Sequence, residues 1–201
     1  MMEDRKSAAN SARFVLRSAT RAEHDATEHA LDHLSIEKPA HYTEFLRIQV
    51  RSLAIIEPAL AGGGWTRWQS RMPQLELDLA DLDAAILMSP ATPADFPADA
   101  HIWGAQYVLE GSRLGGQMLC RRVQPGLPTR YLNEPDSTAT WRRFVEAMEC
   151  AAEAVGDLRE EWLQDAVTGA KKAFMIFQAA AQAAAQNTAQ TTAQTTERVA
   201  A

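Results

Sequence analysis

An all-α, single-domain protein is the fold that the sequence predicts, on three observations. Apolar residues recur at helical steps in most of the chain, and no stretch alternates apolar and polar residues as a half-buried strand does. No internal repeat, phosphate loop or nucleophile motif breaks the pattern. The periodic segments resolve into about seven or eight helices.

With 201 residues the chain is long enough for one domain with a substantial core, and 46% hydrophobic with 23% charged residues is ordinary for a globular protein. The net charge of −6 comes with no long cluster of Lys and Arg, which argues against a nucleic-acid partner. No apolar run approaches the roughly 18 residues of a membrane span, and Met1-Met-Glu-Asp-Arg-Lys-Ser lacks the apolar centre of a signal peptide. A cytoplasmic location without membrane attachment is the expectation. Cys120 and Cys150 form no CxxC pattern, so they read as reduced core thiols, not as a disulfide framework or zinc site.

After a flexible start at residues 1–11, the first helix is expected from about Ser11 to Leu34, with Ser11 as N-cap and Phe14, Leu16, Ala19, Ala26, Ala30 and Leu31 on its apolar side. His29 and His33 are four residues apart and share a face, whereas His24 shares its face with Arg17, Thr20, Arg21 and Glu28. The three histidines therefore do not converge on one ion. A zinc site on His29 and His33 has no third ligand at a recognisable spacing, and a solvated surface pair is the plainer reading.

Pro39 precedes a second helix, from Tyr42 to Leu60, that is apolar over much of its circumference and ends at Gly62-Gly63-Gly64. A short turn near Trp65, Trp68 and Met72 follows, with the tryptophans used for packing, and then a helix from about Leu75 to Leu87. Ser89 to Pro97 is a proline-broken loop.

From Trp103 to Val123 the residues Trp103, Tyr107, Val108, Leu114, Met118 and Leu119 recur at helical spacings, yet Gly111, Gly115 and Gly116 stand in the middle. Each interior glycine costs a helix about 1 kcal/mol relative to alanine, so the three need a reason. Gly104, Val108, Gly111, Ser112 and Gly115 fall on one face, which is mostly bare backbone. That face suits either a flat ligand lying on the main chain or a close crossing with another helix. His101, two turns ahead of the glycines, reads as a capping or surface histidine.

A Pro- and Gly-containing loop leads to a helix from Ser137 to about Gly156, striped with Trp141, Phe144, Val145 and Met148. The last helix begins near Asp157 and carries Trp162, Ala166, Ala170, Phe174 and Phe177. The core-forming domain is expected to span 12–180. Residues 181–201, rich in Ala, Gln and Thr, read as a fraying helix running into a disordered tail.

Three segments resemble a known family. Tyr107-Val-Leu-Glu-Gly-Ser-Arg-Leu-Gly-Gly-Gln117 resembles the distal-helix motif of haem oxygenases, above all the bacterial biliverdin-forming kind associated with bacteriophytochromes. Leu16-Arg-Ser-Ala-Thr-Arg-Ala-Glu-His24-Asp-Ala-Thr-Glu28 resembles the proximal helix of the same family, and Gly169 to Phe177 more weakly resembles its closing helix. The resemblance implies a haem-oxygenase-like fold with haem, both substrate and cofactor, sandwiched between a proximal and a kinked distal helix. It also implies oxidative cleavage of haem to biliverdin with release of iron and carbon monoxide. O2 and an electron donor (a reductase, ferredoxin or ascorbate) would be the partners, with a bacteriophytochrome as recipient of the biliverdin.

Residue by residue, the resemblance makes His24 the axial ligand of the iron, and Glu28 the carboxylate that orients its imidazole. Arg17 and Lys171 become contacts to the haem propionates, with Lys172 as the neighbouring alternative to Lys171. Tyr107, Gly111, Gly115 and Gly116 become the distal contacts to the haem, and Gly111, Ser112 and Gly115 the groups beside the reacting oxygen. Many members of the family carry an aspartate where this chain has Ser112, which is a weaker organiser of water. Arg113, with Arg121 and Arg122, is expected to face solvent and to meet an acidic electron donor. The alternatives are a non-catalytic haem or bilin binder, acting as carrier or sensor on the same scaffold, and a helical enzyme of the related thiaminase-like fold.

Overall fold

The computed structural model describes residues 11–84 and 91–200, with side chains described as far as Asn187. Seven α-helices and two 3-10 turns make up the regular structure of the described residues, and none of the helices is long and apolar enough to cross a membrane.

α1 (Ala12–Ala19) and α2 (Arg21–Leu31) together occupy the span expected of one helix. Ser11 caps α1 by accepting the Phe14 N–H. The break comes at Thr20, whose buried hydroxyl donates to the Leu16 carbonyl at 2.7 Å; such back-bonding to the preceding turn bends helices. Phe14 is half exposed, so the apolar stripe of α1 is carried by Ala12 and Leu16.

α3 (Pro39–Ile56) runs into the 3-10 turn Glu57–Leu60 and buries Tyr42, Leu46, Ile48 and Leu53. Trp65 packs its ring edge-on against Phe144 at 5.6 Å. α4 (Met72–Asp81) ends earlier than expected because Asp83 takes a left-handed conformation, φ 50°, and the Ala84 N–H turns back to the Leu79 carbonyl. The rest of the expected helix and the start of the proline loop lie outside the described residues.

α5 (Asp99–Cys120) passes through all three glycines without a break in its helical structure. α6 (Ser137–Ala154) matches expectation, and after the 3-10 turn Gly156–Leu158 comes α7 (Arg159–Ala200). Ala181 and Ala184 are buried against Ile48, so α7 contributes to the core beyond the expected limit at residue 180.

α5 and α7 cross at the centre of the molecule. A Cβ on Gly104 would overlap the Ala166 carbonyl, and a Cβ on Gly169 would overlap the His101 carbonyl, so each glycine lets the opposing main chain close in. The close-crossing explanation therefore holds for Gly104. His101 is accordingly half-buried, with Nε2 4.0 Å from Asp165, and not a surface residue. Cys150 is exposed and Cys120 half-buried, which corrects the expectation of two core thiols.

Asp78 on α4 is fully buried and accepts the Arg130 and Tyr131 N–H groups, at 3.1 and 2.9 Å, and the Arg130 guanidinium. It thereby pins the 129–132 segment under α5, where Leu132 meets the main chain at Gly116.

Candidate functional site

α1, α2, α5 and α7 enclose a cavity of about 620 Å3, closed further by Phe45 and Gln49 of α3, Trp141 of α6, and Arg71 with Tyr131 and Leu132. Its volume falls within the roughly 300–1,000 Å3 of small-molecule and cofactor sites.

His24 reaches it from α2. The imidazole Nδ1 lies 3.5 Å from Asp25 Oδ1 and 3.8 Å from Glu28 Oε2, and the ring edge faces Phe174 at 6.0 Å. Ligand atoms of His24, Asp25 and Glu28 all fall within 4.8 Å of one another. Helical geometry explains the Glu28 contact, one turn on. Asp25 is the addition, and it stands closer than Glu28. His29, by contrast, pairs with Asp32 at 3.0 Å on an exposed surface.

Arg17 lines the cavity together with Arg13 and Arg21, which share its basic rim. Arg13 stands 5.8 Å from the centre of the Trp141 ring. Lys171 does not line the cavity: its Nζ is paired with Glu23 at 3.1 Å. Lys172 is likewise turned away, donating to the Asp95 carbonyl.

On α5 the glycines divide by function. A Cβ on Gly115 would meet no described atom within 4 Å, and one on Gly111 would meet only the Trp141 ring, at 3.7 Å. Gly115 thus presents bare main chain to open space, and Gly111 presents it to the flat face of the cavity that Trp141 borders. Gly116 lines the cavity too, but it serves packing, since its Cβ would come within 3.2 Å of the Leu132 carbonyl. Tyr107 is buried at the cavity wall, 5.4 Å from the Trp141 ring, and burial holds its phenol pKa above the ordinary value. It stays neutral at any physiological pH.

Ser112 has partners that sequence reasoning missed. Its hydroxyl donates to the Leu109 carbonyl at 2.7 Å and accepts from Arg71 Nη1 at 2.9 Å. Arg71 is 4% exposed and lies over the Tyr131 ring at 3.9 Å. Tyr131 donates to Gln49 at 2.8 Å, which joins α3 to the same wall.

Arg113 corrects another expectation. It is buried, donates to Glu110 at 3.1 Å and to the Gln69 carbonyl at 2.9 Å, and pairs closely with Glu134. A surface for an electron donor cannot include it. Arg122 is exposed but engaged with Glu37 at 2.8 Å.

A relative from Xanthomonas campestris pv. campestris (strain 8004), named heme oxygenase, is 33% identical over 149 residues, which cover 68% of this chain and 86% of the relative. No family model matches the chain. Likeness at that level over most of both sequences, joined to an all-helical structure, shows that this chain belongs to the haem oxygenase family.

Proposed function

We propose that the protein binds haem in the cavity between α2 and α5 and opens it oxidatively to biliverdin, releasing iron and carbon monoxide with electrons from an external donor. The observation that carries this reading is that one cavity is lined by the His24 imidazole and by the side-chain-poor stretch of α5 at Gly111 and Gly115.

The residues suit the group. A planar macrocycle needs a flat approach to main chain, which Gly111 and Gly115 offer, and its carboxylates need cations, which Arg13, Arg17 and Arg21 supply. Bound haem would supply the oxygen chemistry, being substrate and cofactor together. His24 would hold the iron through Nε2, with the Asp25 and Glu28 carboxylates, 3.5 and 3.8 Å from Nδ1, near enough to steady the other side of the ring. Arg17 would set the rotation of the ring in its plane by pairing with a propionate. Tyr107, Phe174 and Phe177 would exclude water from the ring edges. Ser112, in contact with the cavity, would hold a water on the distal side.

Titration with hemin followed by ascorbate tests the proposal. A histidine-type Soret band should form at one equivalent and give way to a biliverdin absorption band. A Soret band that ascorbate leaves intact makes the protein a carrier, and no Soret band removes haem from the account.

A further inference from the structure

We propose that Arg71 is the positioning residue of the distal side, acting through Ser112 to decide which way a water on the cavity wall points and holding positive charge at that wall. The inference rests on the haem reading above.

Its basis is the valence of one hydroxyl. A serine hydroxyl has one hydrogen to give and two lone pairs to share. In Ser112 the hydrogen goes to the Leu109 carbonyl, and one lone pair takes the hydrogen of Arg71 Nη1. A single lone pair remains. A water docking there must therefore donate to Ser112, which turns its second hydrogen and its lone pairs away from the serine and into the cavity.

Arg71 is built to stay in place. Nη2 donates to the Tyr131 carbonyl at 2.8 Å, the guanidinium lies on the Tyr131 ring, and the main-chain N–H donates to Glu57 at 3.0 Å. Glu134 stands 3.8 Å from Nε and is shared with Arg113, which also holds Glu110. Of Arg71, Glu134 and Glu110, only Arg71 lines the cavity. The other charged groups on the cavity, Arg13, Arg17, Arg21, His24, Asp25 and Glu28, come from α1 and α2, and the phenols of Tyr107 and Tyr131 come from α5 and the 129–132 segment.

The test loads ferric hemin onto the full chain and follows its acid-to-alkaline spectral transition in wild type, Arg71→Met, Arg71→Lys and Glu134→Gln, with thermal melts to establish folding. A fixed cation favours hydroxide over water on the iron, so Arg71→Met should raise the midpoint by about one pH unit. Arg71→Lys keeps the charge and should stay near wild type. Glu134→Gln removes the anion beside Arg71 and should lower the midpoint. A folded Arg71→Met with the wild-type midpoint, or a lysine variant that shifts as far as methionine, overturns the proposal. Should Arg71→Met fail to fold, Glu134→Gln decides, and an unmoved midpoint there overturns it. Absence of a histidine-type Soret band in the wild type instead defeats the haem reading on which the inference stands.

Discussion

Gly104 of α5 lies so close to Ala166 of α7 that a single added carbon would overlap the Ala166 carbonyl. Further along the same helix, Gly115 faces open space. One helix thus uses glycine for two purposes, and substitution separates them.

Gly104→Ala should destabilise the protein by about 1–3 kcal/mol through overpacking, which lowers the melting temperature by roughly 2–12 °C. Gly115→Ala should hold or raise the melting temperature, since alanine favours helix by about 1 kcal/mol, while weakening hemin binding. Thermal melts with hemin titrations check both. Equal losses of stability would show that the two glycines serve one purpose.

Arg17 and Lys171 were expected to share the propionates, and the structure separates them. Arg17→Gln should weaken hemin binding about tenfold, the loss of one charge-assisted hydrogen bond, whereas Lys171→Gln should change it less than about threefold. Soret titrations measure both constants. A larger effect at Lys171 would mean that it leaves Glu23 when haem binds.

What could be read from the sequence divides along range. Arg17, His24 and Glu28 lie within twelve residues on the successive helices α1 and α2, and Gly111, Ser112 and Gly115 on α5, so helical periodicity groups each set in the sequence. Arg71 was not legible, because its partner Ser112 is 41 residues away and an arginine ahead of Met72 looks like any loop cation. Arg113 misled for a related reason. Its position in a helix says nothing of Glu134 and Gln69, which close over it from separate segments. The α1–α2 junction falls at Thr20 and α4 stops at a left-handed aspartate, both details below the reach of an apolar pattern.

Glu110 gives the pH prediction. Burial raises its carboxyl pKa above the ordinary 4.5, against the pull of Arg113. The folded chain therefore keeps this proton to higher pH than the unfolded chain, so the stability it contributes is full below the ordinary 4.5 and declines as pH rises through the folded value. Glu110→Gln cannot titrate. The melting temperature of wild type minus that of the variant should fall as pH rises from about 4 to about 8, and a constant difference would contradict the assignment.

In the proposed complex His24 binds the iron of a haem held against the glycine face of α5. The most direct measurement is the absorption spectrum of hemin mixed with His24→Ala, beside wild type, with added imidazole as rescue. Wild type should show a histidine-type Soret band, His24→Ala should lose it, and added imidazole should restore it. An unchanged histidine-type band in folded His24→Ala would contradict this ligation and place the ligand elsewhere in the chain.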